Sequence, residues 1–248
     1  MHDLLKHTEH RPYPLSPGPW IMTQTWERLL FAHWPVPLDI MKVHLPKHLP
    51  LDTYDGYAWI GIVPFHMCGI RPRWLPAVPY LSAFPEINVR TYVVRDEKPG
   101  VYFFSLDVTN PMAVALARGV FHLPYYRARM GMERSGVGWS YRSERTSRFA
   151  PQAVFTGSYA PISNVYRASP GSIDEWLTER YCLYTTHGGI LYRGEIHHLP
   201  WPLQRAEAEL ETNEMHSDFN RYVTTSTAPI LHYADTLKTL IWPLVKVT

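Results

Sequence analysis

Prolines interrupt the chain too often for long helices to form. The sequence has 23 prolines among 248 residues, nearly twice the usual share of roughly 5%. Proline lacks a backbone N–H and clashes with the preceding helical turn, so it is confined mainly to helix starts, turns and the edges of sheets. The chain is also rich in aromatic residues, with 9 Trp and 16 Tyr, which favour strands. We therefore expect short strands joined by many turns.

The balance of charged and apolar residues is typical of a globular protein. Hydrophobic residues make up 46% of the chain and charged residues 19%, with a formal net charge of +2. That charge gives no general attraction to nucleic acid or to anionic membranes. No run reaches the roughly 18 apolar residues that span a bilayer, and the N-terminus has no apolar segment of signal-peptide length. We predict a cytoplasmic protein with no nucleic-acid or membrane partner, and with Cys68 and Cys182 reduced.

Strand signals extend along most of the chain. No internal repeat or low-complexity linker divides it, so we predict a Pro-rich arm at 1–18 and a single domain at 19–248. The segments of this domain with strand character are Trp20–Trp34, Tyr57–Ile70, Ile87–Arg95, Val101–Val108, Tyr125–Glu133, Val137–Arg145, Val154–Tyr159, Leu191–His198 and Thr236–Val247, the last interrupted at Pro243.

Helix signals are fewer. The segment NPMAVALARGVFH begins with Asn110 as N-cap and a proline at the first helical position, and SIDEWLTERY begins at Ser172 with a capping box. Two more helices are predicted, from Pro202 (PLQRAEAELE) and near Leu38 (LDIMKVH). Many strands, about four scattered helices and no βαβ rhythm predict an α+β fold with an antiparallel sheet. Because so many strands share one core, we expect a closed or nearly closed β-barrel.

The segment FPEINVRTYV places functional side chains at alternate positions. Successive side chains of a strand point to opposite faces, so Glu86, Asn88, Arg90 and Tyr92 share one face. Ile87, Val89, Thr91 and Val93 share the other. Two interpretations remain open at this point. The polar face is either a solvated sheet surface or the lining of a barrel interior.

Six motifs resemble the YqjF-like family of uncharacterised proteins. They are QTWERLLFAHWPVP (24–37), LDTYDGYAWIGIVPF (51–65), FPEINVRTYV (84–93), GVYFFSLD (100–107), FHLPYYRARM (121–130) and IHHLPWPL (196–203). They occur in the family's order and span most of the chain from about residue 12 onward. The resemblance implies family membership but no activity. That family is in turn distantly similar to the acetoacetate decarboxylase-like superfamily, which implies one domain built on a large antiparallel β-barrel or cone, with an internal ligand cavity and a few peripheral helices.

The superfamily pattern carries a strand glutamate and a Gly-Tyr-Pro-Lys-Lys segment whose first lysine forms a Schiff base. Glu86 falls on the glutamate, whereas HLPYY at 122–126 places Tyr125 and Tyr126 at the two lysines. A phenol cannot form an imine, and at a pKa near 10 it stays mostly protonated at neutral pH. The lysines of the chain are Lys6, Lys42, Lys47, Lys98, Lys238 and Lys246, so none lies between 99 and 237. The resemblance therefore argues against imine-based decarboxylation.

These observations define a candidate site inside the barrel. Adjacent residues of a strand alternate, so only one of the two tyrosines can point inward, and the superfamily position favours Tyr125. We expect Glu86 and Tyr125 to be the catalytic groups, with Glu86 and Arg90 held as a charged pair. The expected ligand-binding residues are Asn88, Arg90, Arg118, His122 and Tyr126. Arg118 and His122 are included because they lie four apart at the end of the helix that precedes the tyrosines.

Other kinds of site find little support. The P-loop, the dinucleotide-binding glycine motif and the Gly-x-Ser-x-Gly elbow are all missing from the sequence. His197 and His198 are adjacent, and in a strand they would face opposite sides. Arg193, Glu195 and His197 share one strand face, which we interpret as a solvent-exposed, salt-bridged surface. We predict no cofactor and no metal.

Two functions remain open. The first is a small-molecule-binding barrel that acts as an enzyme on a carbonyl or carboxylate compound without a Schiff-base lysine, by general acid–base catalysis. The second is a non-catalytic ligand sensor or interaction protein that retains only the scaffold. Sheet edges and the Pro-rich arm are also compatible with a homo-oligomer.

Overall fold

The computed structural model describes residues 3–76, 82–148, 150–224 and 228–247. The strands in these ranges are β1 (Met22–Val36), β2 (Ala58–Pro72), β3 (Phe84–Arg95), β4 (Lys98–Val108), β5 (Tyr125–Ser135), β6 (Gly138–Arg145), β7 (Val154–Pro161), β8 (Cys182–His187), β9 (Ile190–His197), β10 (Leu203–Glu214) and β11 (Ile230–Lys246). The helices are α1 (Leu38–Lys42), α2 (Pro111–Phe121), α3 (Ile173–Thr178) and α4 (Asn220–Thr224), with a 3₁₀ turn at Leu4–Lys6.

One sheet closes on itself by two routes. Strands β1 to β7, then β10 and β11, pair in that order, and β11 pairs back onto β1. Strands β8 and β9 form a second route, because β8 pairs with β4 and β9 with β11. The strands β11, β1, β2, β3 and β4 are thus a wall shared by both rings. The predicted closed, largely antiparallel barrel is confirmed, although β4 pairs in parallel with both β5 and β8.

The shared wall is buried on both faces. Ile87 and Val89 of β3 point into the nine-strand ring, where they pack in one core cluster with Tyr141 of β6 and Phe155 of β7. The alternate residues of β3 point into the seven-strand ring that β8 and β9 complete, and they line a cavity there. The two-residue period of a strand therefore separates a packed core from a cavity.

A left-handed residue lets one strand face the cavity along most of its length. Arg28 in β1 has φ +55°, and the pairing of β1 with β2 shifts register around it. Before this bulge Gln24 and Trp26 line the cavity, and after it Leu29 and Phe31 do so. A strand without the extra residue would turn one of these pairs away, because side chains alternate.

One predicted helix is instead a strand. Residues 203–214 form β10, which pairs with β7 and β11. The prediction was wrong because it weighted the helix-forming Ala, Leu, Gln and Glu residues. Ala206, Ala208 and Leu210 pack against the core at alternate positions, between exposed polar residues, and this two-residue period indicates a strand. Helices α1, α2 and α3 are confirmed. The C-terminal strand starts earlier than predicted and runs past Pro243, where its pairing with β9 shifts register.

The N-terminal segment lies against the sheet. Arg11 Nη1 donates a hydrogen bond to the Ile196 carbonyl at 2.8 Å, and Tyr13 is buried. Cys68 and Cys182 are free cysteines, as predicted. Within the ranges described, none of the helices combines the length and apolar character needed to cross a membrane.

Candidate functional site

A cavity of about 330 Å³ lies between the shared wall, β8, β9 and α2, a volume within the range of roughly 300–1,000 Å³ found for ligand sites. Most of its lining is apolar and comes from β1, β2, β3, β4, α2 and β11. The polar residues that line it are Gln24, Glu86, Asn88, Arg90, Tyr125, Thr178, Arg180 and His198. This arrangement resolves the interpretation left open by the sequence, because the polar face of β3 lines the barrel interior.

Glu86 and Tyr125 form the pair at the centre of the candidate site. The Tyr125 hydroxyl donates a hydrogen bond to Glu86 Oε2 at 3.1 Å, and Glu86 is 2% exposed. Burial, reinforced by repulsion from Asp107, raises the pKa of Glu86 to about 8, although the hydrogen bond from Tyr125 opposes the shift. Burial and the nearby Glu86 raise the pKa of Tyr125 well above its ordinary value. Glu86 is consequently a mostly protonated carboxylic acid at neutral pH.

The charge that acts on Glu86 belongs to a buried ion pair. Asp107 of β4 accepts two hydrogen bonds from Arg145 of β6, from Nε at 2.9 Å and from Nη2 at 2.8 Å. The Asp107 side chain is fully buried and that of Arg145 is 5% exposed. Burial raises the pKa of Asp107, whereas Arg145 lowers it. A two-point contact of this kind fixes the spacing between β4 and β6 close to the cavity wall.

Arg90 does not pair with Glu86, contrary to the sequence-based expectation. Its Nη2 donates weakly to the Tyr92 hydroxyl at 3.3 Å and to the Leu177 carbonyl at 3.4 Å. The guanidinium also lies over the Phe31 ring, 5.1 Å from its centroid. Residues four apart on a strand are separated by about 13 Å, which explains the lack of contact. Glu86 is therefore neutralised by a proton rather than by Arg90.

Several residues that line the cavity were not predicted. Thr178 is the last residue of α3, and Arg180 lies two residues further on. Both line the cavity, and Arg180 forms a salt bridge with Asp52. Trp26 and Trp201 stack on each other with ring centroids 5.8 Å apart and also line it. The tryptophan-rich segments were the available signal, but tryptophan is usually a core residue and only the topology shows which ones face a cavity.

Three of the predicted ligand-binding residues lie away from the cavity lining. Arg118 is exposed, and its Nε donates to the Tyr125 carbonyl at 2.7 Å. Tyr126 points away from Tyr125 and lies beneath Arg145, whose guanidinium is 4.3 Å from the ring centroid. His122 has φ +51° at the end of α2 and stacks on His187 with ring centroids 4.0 Å apart. The helix ends before His122, so the helical spacing that predicted a shared face with Arg118 does not apply there.

Glu195, His197 and His198, which the sequence suggested as possible metal ligands, have structural partners. Glu195 is buried rather than exposed, and it accepts a hydrogen bond from Lys98 at 2.7 Å. His197 bonds the Leu4 carbonyl while His198 lines the cavity, so the two rings diverge as predicted. No lysine is among the described residues that line the cavity. In the same part of the chain, no cluster of three or more His, Cys, Asp or Glu side chains is placed to hold a metal ion.

A family model and a sequence relative match this chain over most of its length. The family model DUF2071, described as an uncharacterized conserved protein, matches residues 23–238. The uncharacterized protein YqjF of Bacillus subtilis (strain 168) is 48% identical over 229 residues, which cover 92% of this chain and 93% of that protein.

Solved structures share the fold at low sequence identity. The enduracididine biosynthesis enzyme MppR complexed with pyruvate has a TM-score of 0.60 and 11% identity, covering 97% of this chain and 94% of that one. An acetoacetate decarboxylase-like enzyme from Sphingomonas wittichii RW1 has a TM-score of 0.60 and 11% identity, with coverages of 96% and 97%. Acetoacetate decarboxylase from Legionella pneumophila has a TM-score of 0.58 and 13% identity, covering 96% of this chain and 93% of that one. Identities this low support a shared fold and nothing finer.

Proposed function

The chain belongs to the DUF2071 family of uncharacterized conserved proteins, on an acetoacetate decarboxylase-like fold, and from this we propose that it binds a small oxygenated compound in the cavity and transfers protons to and from it through Glu86. The substrate class is a compound with a carbonyl group, a carboxylate group or both. The reaction needs no imine, because a tyrosine stands where the superfamily pattern has its Schiff-base lysine.

The observation that carries this proposal is the Glu86–Tyr125 pair. A general acid or base works best when its pKa lies near the working pH, and Glu86, with a pKa of about 8, can both hold and release a proton near neutrality. A buried carboxyl with a displaced pKa inside a ligand-sized cavity is a typical functional-site feature. Purely structural carboxyls more often form ion pairs, as Asp107 does with Arg145.

The proposed chemical step is reversible proton abstraction next to a carbonyl group. Ionised Glu86 takes a proton from the adjacent carbon, and the electron pair of the broken C–H bond moves toward the carbonyl oxygen. The Tyr125 hydroxyl is the nearby donor that can stabilise this oxygen. Protonated Glu86 exchanges its proton with solvent and returns one to the same carbon, so the net result in D2O is replacement of hydrogen by deuterium.

Hydrogen–deuterium exchange measured by proton NMR tests this step. The ligands are stable ketones and oxo acids, and pyruvate is included because one structural neighbour is complexed with it. We expect saturable, protein-dependent exchange that increases from pH 6 to pH 8 as Glu86 ionises. Glu86→Gln should slow it about a hundredfold or more, and Tyr125→Phe should slow it less. Glu144→Gln is the control, because the side chain of Glu144 is 56% exposed on β6.

The non-catalytic alternative predicts a different result from the same samples. A ligand sensor would bind one of these compounds, detected by calorimetry, without accelerating exchange. Exchange that is equally fast in wild type and in Glu86→Gln would refute a catalytic role for Glu86. Failure to bind any compound of the panel would refute the proposed substrate class.

A further inference from the structure

Arg90 is a half-buried cation that lines the largely apolar cavity and has no acidic partner among the described residues. Its Nη2 hydrogen bonds go to neutral oxygens at 3.3–3.4 Å, and its Nε is buried without a partner. Among the residues that the structure describes, Arg90 makes no salt bridge. Burying a cation without a counter-ion is unfavourable. An anionic ligand group beside Arg90 would remove this cost.

A second unpaired donor belongs to Trp201, which contacts the same Phe31 ring as Arg90. The indole Nε1 of Trp201 is buried without a hydrogen-bond partner, and Trp201 lines the cavity. Its ring lies edge-on to Phe31, with centroids 4.9 Å apart, and the Arg90 guanidinium lies over the same Phe31 ring. An indole N–H and a guanidinium are donors only. Donors of this kind suit the acceptor oxygens of a carboxylate, and the guanidinium also matches its charge.

Asn88 lies between the two ends of the polar face. Its Oδ1 is buried without a partner, and Asn88 lines the cavity. Glu86 and Arg90 lie on either side of it along β3, about 13 Å apart by strand geometry. The rest of the lining between them is mainly apolar. A ligand that reaches both ends must therefore be long, and most of its middle would contact apolar side chains, with Asn88 as the polar exception.

We infer that the ligand is an elongated amphipathic acid, with its carboxylate on Arg90 and a carbonyl or hydroxyl group at Glu86 and Tyr125, separated by an apolar chain or ring. Hydrogen bonds of about 3 Å at each end leave about 7 Å of the roughly 13 Å between these positions. An unbranched chain on the order of eight carbons spans this distance between its carboxylate and carbonyl groups. This inference rests on the proposed function, because it places the reacting group at Glu86. It adds a carboxylate subsite at the opposite end of the cavity.

Calorimetric titration with three ligands tests the subsite. The probe is 7-oxooctanoate, 2-octanone is the same length without the carboxylate, and 4-oxopentanoate keeps both groups on a shorter chain. We expect 7-oxooctanoate to bind at least about tenfold more tightly than either comparison compound. Equal affinity for 4-oxopentanoate and 7-oxooctanoate would overturn the elongated ligand without needing any variant.

Variants of Arg90 isolate the carboxylate contact. Arg90→Gln should raise the Kd of 7-oxooctanoate about ten- to a hundredfold while leaving that of 2-octanone unchanged. Arg90→Lys, which keeps the charge but not the planar geometry, should have an intermediate effect. Arg129→Gln is the matched control, since the Arg129 side chain is 78% exposed on β5. An unchanged Kd for 7-oxooctanoate in both Arg90 variants would refute the subsite.

The two proposals fail in different ways. If exchange at the ketone depends on Glu86 but the Kd of 7-oxooctanoate is unchanged in the Arg90 variants, the carboxylate subsite is wrong and the catalytic proposal stands. If Arg90 governs affinity but exchange is absent, the subsite stands and the protein is a binder. A variant that failed to fold would also lose affinity, so circular dichroism spectra of the variants are compared with that of the wild type.

Discussion

The raised pKa of Glu86 makes the stability of the protein fall as the pH rises. The folded-state pKa is about 8, against an ordinary value of 4.5, so the folded protein favours the protonated acid more than the unfolded chain does. Between pH 4.5 and pH 8, therefore, the unfolded chain releases the proton whereas the folded protein retains it. Each pH unit in this window lowers the free energy of unfolding by about 1.36 kcal/mol.

The size of the effect can be calculated from these values. The full difference of about 3.5 pH units corresponds to about 5 kcal/mol, of which about 4 kcal/mol develops between pH 5 and pH 9. Glu86 is 2% exposed, so solvent screens little of it. Glu86→Gln replaces the acid by a neutral group of similar shape and removes this pH dependence.

Urea unfolding of both proteins at pH 5, 7 and 9 measures the effect. We expect the stability of Glu86→Gln relative to wild type to increase by about 4 kcal/mol from pH 5 to pH 9. Glu144→Gln, at an exposed position on β6, should follow the wild-type profile closely. Parallel curves for wild type and Glu86→Gln would show that Glu86 titrates alike in the folded and unfolded states, and the reasoning would then be wrong.

Three further predictions follow from the same contacts. Tyr125→Phe removes the hydrogen bond that lowers the pKa of Glu86, so the pH midpoint of Glu86, followed by carboxyl infrared absorption, should move above 8; a lower midpoint would contradict this. Arg145→Gln leaves Asp107 buried without its partner and should cost about 3–5 kcal/mol in urea unfolding, whereas Arg129→Gln breaks an exposed pair and should cost less than about 1 kcal/mol. Borohydride treatment with a ketone should give no covalent adduct by mass spectrometry, and an adduct would refute the imine-free chemistry.

The candidate site was predictable where it depends on one strand. Glu86, Asn88 and Arg90 share a face because β3 is extended, and the two-residue period is visible in the sequence alone. Which of the two faces meets a cavity depends on both rings of the sheet. Ile87 and Val89 are buried in a packed core, whereas their polar neighbours line the cavity. No local sequence pattern distinguishes burial in a core from burial around a cavity.

The incorrect predictions come from contacts between distant segments. The residues of β10 have high helix propensity, but pairing with β7 and β11 outweighs it. The expected Glu86–Arg90 pair does not form because four extended residues separate the two side chains by about 13 Å. Burial raises the pKa of Glu86, so this side chain is neutralised by a proton rather than by a counter-ion. Thr178, Arg180 and Trp201 reach the cavity from segments far from β3 in sequence, so their roles appear only once the sheet has closed.

Carbon-13 NMR titration of the Glu86 carboxyl group, assigned by comparison with Glu86→Gln and repeated with saturating 7-oxooctanoate, tests the central claim most directly. That claim is that a largely protonated glutamic acid faces the ligand cavity at neutral pH. We predict a midpoint near 8 in the free protein and a clear change in both chemical shift and midpoint when the ligand binds. A midpoint near 4.5, the ordinary value, with no response to the ligand, would contradict the account.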